Sequence, residues 1–222
     1  MLRVKAIAPL HLTDDEMARR QARYDRLGGE QLAITLFNLT GGDAPDRFDT
    51  AEQIAASERL TALEVSRTDP DAFDVVLPDC VLDPAVGEVD SPPVPVVGIL
   101  QLVSSYLASV GRPFAAVTRN RVIGDELARK VDRYGLGHRL TGVHVLDVDF
   151  CLVSDQRGWA DAMAPLRGEL EKTGVRTLFN GCSAVDIDTD HLGSVAVVDP
   201  TALALQLLSL APAVGLAYRE AS

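Results

Sequence analysis

The chain has 222 residues, of which 47% are hydrophobic, 5% aromatic and 24% charged, a composition typical of a globular protein and not of a disordered one. The formal charge of −11 argues against a nucleic-acid backbone or an anionic lipid surface as partner, because no Lys/Arg cluster offsets it. The densest basic run, ARRQARYDR at residues 18–26, is interrupted and preceded by acidic residues, and it predicts a solvated helix face.

The cysteine content and the apolar runs indicate the cytoplasm. The three cysteines, Cys80, Cys151 and Cys182, are odd in number and show no C-x-x-C spacing, which favours a reducing compartment. The first residues have too short an apolar stretch for a signal peptide. No apolar run approaches the roughly 20 residues that a membrane span needs.

Short β-rich segments alternate with helical segments along the chain. The eight predicted strands are residues 3–9, 31–37, 73–78, 94–99, 114–118, 143–148, 175–179 and 194–199. The predicted helices include 51–67, 100–111, 123–134, 158–173 and 200–210, and Thr50 and Gln53 are spaced as a capping box for the first of these. Near-continuous apolar strands that alternate with helices predict an α/β fold of parallel sheets covered on both faces.

Two segments resemble each other at a separation of 102 residues. This shift places Cys80 of DVVLPDCVLDP (residues 74–84) on Cys182 of RTLFNGCSAVD (residues 176–186). Each cysteine follows a predicted strand and precedes a loop, another strand and a helix. The repeat predicts two similar lobes of about four strands each, related by a pseudo-twofold axis. We expect lobe 1 to span residues 1–99, completed by 200–222, and lobe 2 to span residues 100–199.

The positions of Cys80 and Cys182 point to acid–base chemistry. Ligands of open α/β sheets bind beyond the carboxyl ends of strands, so each lobe is expected to offer one thiol to a shared cleft. Moving a proton between the two faces of a carbon acid needs an acid/base group on each side, and thiols suit that task near neutral pH. Asp83 with Pro84, and Ser183 with Asp186, are spaced as helix starts, whose N–H groups stabilise a thiolate or a substrate carboxylate.

These motifs resemble those of the aspartate/glutamate racemase superfamily, and within it those of the hydantoin racemase branch. The resemblance covers roughly residues 50–210. It rests on FDVVLPDC with the Cys-x-x-Asp-Pro of residues 80–84, PVVGI at 95–99, AVT at 116–118, DRYGL at 132–136, NGCSAVD around Cys182 and VVDP at 197–200.

The resemblance implies a two-lobed pseudosymmetric α/β fold, no cofactor, no metal, and a small-molecule substrate with a carbonyl-activated carbon acid. It leaves the oligomeric state open, a homo-oligomer included. It implies that Cys80 and Cys182 are paired catalytic bases and that Thr118 and Ser183 lie near the substrate. Four further residues complete the candidate substrate-binding set: Pro9, His11, Val81 and Asp83.

One segment departs from the hydantoin racemase pattern. In that branch the first strand commonly leads into Asn-Pro-Asn followed by Ser or Thr, whereas this chain has Ala8-Pro9-Leu10-His11. Only the proline is kept, so the polar contacts of that wall are expected to be absent.

Two alternatives to a racemase or epimerase stay open. One is an isomerase or decarboxylase of the same superfamily, of the maleate isomerase or arylmalonate decarboxylase type, although the decarboxylases keep only one of the two cysteines. The other is a non-catalytic small-ligand-binding accessory protein. Two neighbouring features are interpreted structurally: Cys151 as an inert core cysteine, and Asp79 as a polar strand-end residue whose charge would raise the pKa of the adjacent thiol.

Other site motifs are excluded by their spacing. The D-x-D-x-D run of Asp186, Asp188 and Asp190 is not a calcium loop, because His191 and Val197 stand where Gly and Glu are required. The sequence contains no P-loop, no complete dinucleotide fingerprint and no G-x-S-x-G element.

Overall fold

A computed structural model describes residues 1–187 and 194–211 of the chain. The strands in these residues are β1 (Leu2–Ile7), β2 (Leu32–Phe37), β3 (Val75–Pro78), β4 (Phe114–Thr118), β5 (Leu140–Val145), β6 (Thr177–Asn180) and β7 (Ala196–Val198). The α-helices are α1 (Asp14–Gly28), α2 (Ala51–Ser66), α3 (Ile99–Ser109), α4 (Arg121–Arg133), α5 (Gln156–Thr173) and α6 (Pro200–Ser209), with 3-10 helices at Gly137–Arg139 and Phe150–Ser154. The predicted capping box is confirmed, because Thr50 and Gln53 exchange both of its hydrogen bonds at the start of α2.

The first sheet has three parallel strands in the order β2-β1-β3. The central strand β1 ends where Ile7 pairs with Phe37 on one side and with Pro78 on the other. All four residues of β3 are buried, as expected for a strand covered on both faces. The carboxyl ends of β1 and β3 therefore lie side by side at one edge of this sheet.

The second sheet has four parallel strands in the order β5-β4-β6-β7. Its strand β4 is buried at all five positions and pairs with β6 from Ala115 with Leu178 to Val117 with Asn180. The edge strand β5 is mostly half-buried, and its register with β4 shifts between Phe114 and Ala115. The carboxyl ends of β4 and β6 are neighbours here, as those of β1 and β3 are in the first sheet.

The chain divides into two compact units, and each carries one sheet. Unit 1 is Met1–Ile99 with the chain from Ala202 onward, and unit 2 is Leu100–Thr201. The order β1-α1-β2-α2-β3 of unit 1 recurs as β4-α4-β5-α5-β6 in unit 2. The same 102-residue shift that relates the cysteines moves Val75, the start of β3, onto Thr177, the start of β6. The predicted α/β two-lobe architecture is confirmed.

One predicted strand is reduced to a single bridge. Residues 94–99 form no named strand, and Val96 makes an isolated parallel bridge with Val76 of β3. Two hydrogen bonds hold it, from Val76 N to the Pro95 carbonyl and from Val97 N to the Val76 carbonyl, each 2.9 Å long. The cause is the proline content of SPPVP at 91–95, since proline has no N–H to donate to a ladder.

None of the helices in the described residues combines the length and the apolar character needed to cross a membrane.

Candidate active site

Cys80 lies two residues beyond β3 in a buried loop. Its side chain is buried, and the Leu82 N–H points at its sulfur with an N···Sγ distance of 3.4 Å. The Cys80 N–H donates to the Pro78 carbonyl at 2.8 Å, which turns the chain sharply out of the strand. A backbone N–H directed at sulfur stabilises negative charge there, so the loop suits a thiolate.

The segment after Cys80 is a series of turns and not the predicted helix. Asp83 and Ala85 have φ values of +48° and +68°, which no α-helix contains. Both residues are fully buried, and the Asp83 carboxylate occupies the space that a side chain at Gly98 would need. The prediction of Asp83 as a helix N-cap is therefore wrong. Val81 is buried in the same loop.

The segment after β1 lies beside this loop, because the Asp79 N–H donates to the Ile7 carbonyl at 2.8 Å. Pro9 is buried, and its carbonyl accepts a 2.6 Å hydrogen bond from the Ser57 hydroxyl of α2. His11 is exposed, and its Nδ1 lies 3.1 Å from the Leu39 carbonyl oxygen. Ala8 and Leu10 are buried apolar residues, so this segment lacks the amide side chains of the hydantoin racemase pattern.

Asp79, immediately before Cys80, belongs to a buried polar cluster with α1. Its carboxylate accepts hydrogen bonds from Arg20 Nη1 at 2.9 Å and from the Tyr24 hydroxyl at 2.8 Å. Arg20 also donates to Glu16 at 2.8 Å. Burial disfavours the charged guanidinium, but Asp79 and Glu16 outweigh it and raise the pKa of Arg20. Burial and then Asp79 raise the pKa of Tyr24 well above its usual value.

This cluster corrects two interpretations of the sequence. Arg20 and Arg23 of the basic run are buried, so the run is not a uniformly solvated face. Asp79 is 2% exposed and forms an ion pair with Arg20, so it is a buried, paired carboxylate and not simply a polar residue at a strand end. Glu16, Arg20 and Tyr24 are spaced four residues apart, which places them on one side of a helix. This spacing is the sequence signal from which their common face could have been predicted.

Cys182 lies two residues beyond β6 in unit 2 and is half-buried. The Gly181 N–H donates to the Val117 carbonyl at 2.7 Å, and the Asn180 side chain donates to the Cys182 carbonyl at 2.9 Å. Trp159 of α5 in turn donates its indole N–H to the side-chain oxygen Oδ1 of Asn180 at 3.2 Å. These hydrogen bonds hold the backbone directly before Cys182 and at Cys182 itself, and neither Asn180 nor Trp159 is among the predicted site residues.

Thr118 and Ser183 flank this strand end. Thr118 is fully buried, and its hydroxyl donates to the Asn120 carbonyl at 3.1 Å. The Ser183 carbonyl accepts a 3.1 Å hydrogen bond from Thr201. Residues 183–187 contain a turn and a bend and no helix, so the prediction that Ser183 begins a helix is wrong. The hydrogen bond from Thr201 ties the backbone of this loop to the first turn of α6.

The two cysteine sites share one backbone hydrogen bond at the exit of the strand. The 102-residue shift moves Asp79 onto Gly181, and both N–H groups donate to the last-paired residue of the neighbouring strand, Ile7 or Val117. Cys80 and Cys182 thus occupy equivalent positions, each within its own unit. The residues before them differ, since one is an ion-paired carboxylate and the other has no side chain.

The third cysteine has a different setting. Cys151 lies exposed in a 3-10 helix, so its interpretation as a core cysteine is wrong. The hydrogen bond with Asp149 raises the pKa of its thiol. Phe150 packs against the core of unit 2 and Val153 belongs to it, whereas Cys151 of the same 3-10 helix is exposed.

No group of three or more His, Cys, Asp or Glu side chains in the described residues is arranged to hold a metal ion. Asp188, Asp190 and His191 of the rejected calcium motif lie outside the described residues. A cavity of about 540 Å³ borders the starts of β4, β5 and β6, with Arg112, His144 and Arg176 in its lining. Parallel strands begin at that edge and end at the other, so this cavity is distinct from the Cys182 strand end.

The chain matches the family model described as Asp/Glu/Hydantoin racemase over residues 15–208. The protein belongs to this family. Membership confirms the resemblance drawn from the cysteine motifs, and with it the prediction of an isomerase of the racemase class. No curated protein matches the chain significantly.

Solved structures similar to this racemase family member include two allantoin racemases. The one from Klebsiella pneumoniae is 17% identical with a TM-score of 0.80, over 99% of this chain and 91% of that one. The one from Pseudomonas fluorescens is 15% identical with a TM-score of 0.83, over 99% and 94%. Unliganded arylmalonate decarboxylase is 16% identical with a TM-score of 0.56, over 94% and 93%. The TM-scores show that this chain shares its fold with both allantoin racemases and with the decarboxylase.

Proposed function

We propose that the protein is a cofactor-independent racemase or epimerase that uses Cys80 and Cys182 as opposed acid/base groups at a carbon next to a carbonyl. The observation that carries the proposal is the equivalence of the two cysteines. Each stands two residues beyond a buried strand whose exit is fixed by the same backbone hydrogen bond, to Ile7 in one unit and to Val117 in the other. A reaction that treats the two faces of one carbon alike calls for such a repeated pair.

In the proposed reaction one cysteine is a thiolate and the other a thiol. The thiolate removes the proton from the carbon acid, forms S–H, and leaves an enolate whose charge the carbonyl oxygen carries. The opposite thiol donates its proton to the other face of the same carbon and becomes the new thiolate. Protons and charge balance within the pair, so the step needs no oxidant, metal or organic cofactor.

We infer a cyclic ureide, such as a 5-substituted hydantoin, as the substrate class. The family model includes hydantoin racemases, and the two allantoin racemases share the fold over nearly the whole chain. Carbon 5 of a hydantoin bears a hydrogen beside a carbonyl, as the proposed chemistry requires. The apolar Ala8 and Leu10 favour a less polar substituent on that carbon than the ureido group of allantoin.

The test is proton exchange in deuterated water with one pure enantiomer at a time. Wild-type protein should racemise an alkyl hydantoin and place deuterium at carbon 5, measured by chiral chromatography and proton NMR. Cys80→Ser and Cys182→Ser should each lose racemisation by at least about 100-fold, because removing a catalytic base costs roughly 10²–10⁴. Each should still exchange one enantiomer, and the two variants should prefer opposite enantiomers.

The matched control is Cys151→Ser, which removes the exposed cysteine and should racemise at the wild-type rate. Exchange of the same enantiomer by both active-site variants, or racemisation near wild type in either, would contradict the two-base proposal. Loss of carbon dioxide from an arylmalonate without racemisation would favour a decarboxylase. Thermal stabilisation by the hydantoin without any exchange would favour the binding protein.

A further inference from the structure

The two proposed bases differ in the residue that precedes them. Gly181 brings no charge to Cys182, whereas Asp79 brings a carboxylate directly beside Cys80. The Cα atoms of consecutive residues are about 3.8 Å apart, and both side chains are buried, so the charge of this carboxylate is little screened by solvent and opposes a negative charge on the Cys80 sulfur. If both thiols are to ionise equally readily, the negative charge of Asp79 has to be neutralised by another group.

The buried cluster on α1 supplies that compensation. Arg20 is 5% exposed, and its Nη1 contacts Asp79 Oδ2 at 2.9 Å. Tyr24 is 2% exposed and occupies the other carboxylate oxygen at 2.8 Å. Buried acids and bases are costly unless paired, so the Arg20–Asp79 pair is held together strongly in this position. Both oxygens of the carboxylate face α1.

We propose that Arg20 is a positioning residue for Cys80. Together with Tyr24 it anchors the Asp79 carboxylate to α1 and cancels its charge, so that the Cys80 thiolate forms beside a neutral pair, as the Cys182 thiolate forms beside an uncharged glycine. The inference rests on the proposed role of Cys80 as an acid/base group. It adds a residue distant in sequence that sets how readily this thiol ionises.

Other charged groups lie on α1 and α2, in the segment after β1 and in the Cys80 loop itself. Glu16 and Arg23 lie on α1, and Asp83 is buried within the loop itself. Glu58 of α2 accepts a hydrogen bond from the Ala85 N–H at 3.2 Å, and His11 follows β1 with its ring at the Leu39 carbonyl. None of these groups is replaced in the variants, and Glu16 also accepts two hydrogen bonds from Arg19, so opposite shifts of the two variants report on the Arg20–Asp79 pair.

The test compares variants that remove opposite members of the pair. Arg20→Gln leaves the carboxylate uncompensated, and the midpoint of Cys80 alkylation against pH should rise. Asp79→Asn leaves the guanidinium in excess, and the midpoint should fall. At a pH below the midpoint, the alkylation rate should change by about three- to tenfold in each direction, which corresponds to about half to one pKa unit. Iodoacetamide labelling of Cys80, resolved by peptide mass spectrometry, measures the rate without substrate.

Opposite shifts distinguish a charge effect from a structural one. A pair that only held the fold together would give shifts in the same direction, or none, and either result would overturn the proposal. The double variant Arg20→Gln/Asp79→Asn should return to within about twofold of the wild-type rate, and Arg20→Lys should stay close to it. If Arg20→Gln does not fold, Asp79→Asn and the double variant decide, and an unchanged or slower Asp79→Asn overturns the inference.

The chain provides a matched control in the exposed Arg121–Asp125 pair of α4, with side chains 81% and 68% exposed. Arg121→Gln and Asp125→Asn should leave Cys80 alkylation unchanged. The labelling also separates this inference from the function proposed above. Full racemisation by Cys80→Ser would remove the two-base proposal, whereas the alkylation shifts would still show whether Arg20 governs the thiol.

Discussion

Gly181 is the residue whose missing side chain shapes the Cys182 site. A Cβ at this position would collide with the Val117 carbonyl oxygen and lie 2.7 Å from Thr118 Cγ2. The same carbonyl accepts the Gly181 N–H, so the glycine lets two strand ends approach closely. The requirement is steric, because the backbone of this glycine is not in the left-handed region.

We therefore expect Gly181→Ala to disturb both stability and turnover. Overpacking at this contact should lower the free energy of unfolding by about 1–3 kcal/mol, and displacement of Cys182 should lower kcat by at least about tenfold. Urea unfolding and the racemisation assay measure the two effects.

Gly142→Ala is the matched control for this substitution. Gly142 lies in β5, where an added Cβ meets no atom within 4 Å. This variant should change stability by no more than about 0.5 kcal/mol and leave turnover intact. Equal effects of the two substitutions would show that the contact with Val117 is not what requires glycine.

For single residues, the sequence predicted the positions of the two cysteines at strand ends better than the conformation and the partners of their neighbours. The positions of the cysteines were predictable because each follows an apolar run that ends in a polar residue, and such a run is a local pattern of the sequence. Asp83-Pro84 was misread because the same dipeptide suits a helix start or a turn, and the left-handed φ of Asp83 depends on its burial against Gly98. The partners of Asp79 lie 55 and 59 residues away, so no local pattern reveals them.

Helix α1 carries a carboxylate, Glu16, that is paired with two arginines of the same helix. Glu16 accepts hydrogen bonds from Arg19 at 2.7 Å and from Arg20 at 2.8 Å. Burial disfavours its ionised form, but the two guanidinium groups outweigh that effect and lower the pKa of Glu16. A carboxyl whose pKa is lower in the folded state adds stability above its unfolded pKa, about 4.3, and that stability is lost as the pH falls through the folded pKa.

We expect Glu16→Gln to be less stable than wild type at pH 7, with the difference shrinking as the pH falls below about 4. Urea unfolding between pH 7 and pH 3 measures it. Glu30→Gln is the control, because Glu30 is exposed and forms no ion pair with the other described residues. A difference for Glu16→Gln that stays constant across this range would contradict the linkage.

The elements themselves were predictable to different degrees. Strands such as β3 and β4 are buried on both faces, so their apolar runs are continuous and easily read. The predicted strand at 94–99 has the β-branched residues of a strand, yet its prolines leave only one bridge. Arg20 and Arg23 of α1 are buried, although their charge predicts a solvated face. The burial of a paired arginine depends on its partner, which its own polarity does not reveal.

At the scale of the whole molecule, the proposed chemistry requires no metal ion. In the proposed reaction one thiolate removes a proton from the substrate and the opposite thiol donates one, while the carbonyl of the substrate carries the transient charge. We expect turnover to be unchanged after treatment with a chelator and after addition of divalent cations, measured with the racemisation assay. Activity that is lost in the chelator and restored by one metal ion would show that the site has been misassigned.

The internal repeat is the large-scale feature that the sequence revealed most directly. A shift of 102 residues aligns the two cysteines in the sequence, and the same shift aligns the starts of β3 and β6 in the fold. The differences between the repeats were harder to foresee, because Asp79 and Gly181 are each fixed by contacts within their own unit.

Unit 1 is interrupted in the sequence, and this has a consequence for its synthesis. Its first 99 residues leave the ribosome before unit 2, whereas its segment from Ala202 onward follows unit 2. At about 5–20 residues per second, the intervening stretch of roughly 100 residues takes about 5–20 s to translate. Ala204, Leu205 and Leu208 of α6, which are buried in the finished molecule, are still missing during that interval. Unit 2 is continuous, so the half that is translated second is the first to have all its native segments available for folding.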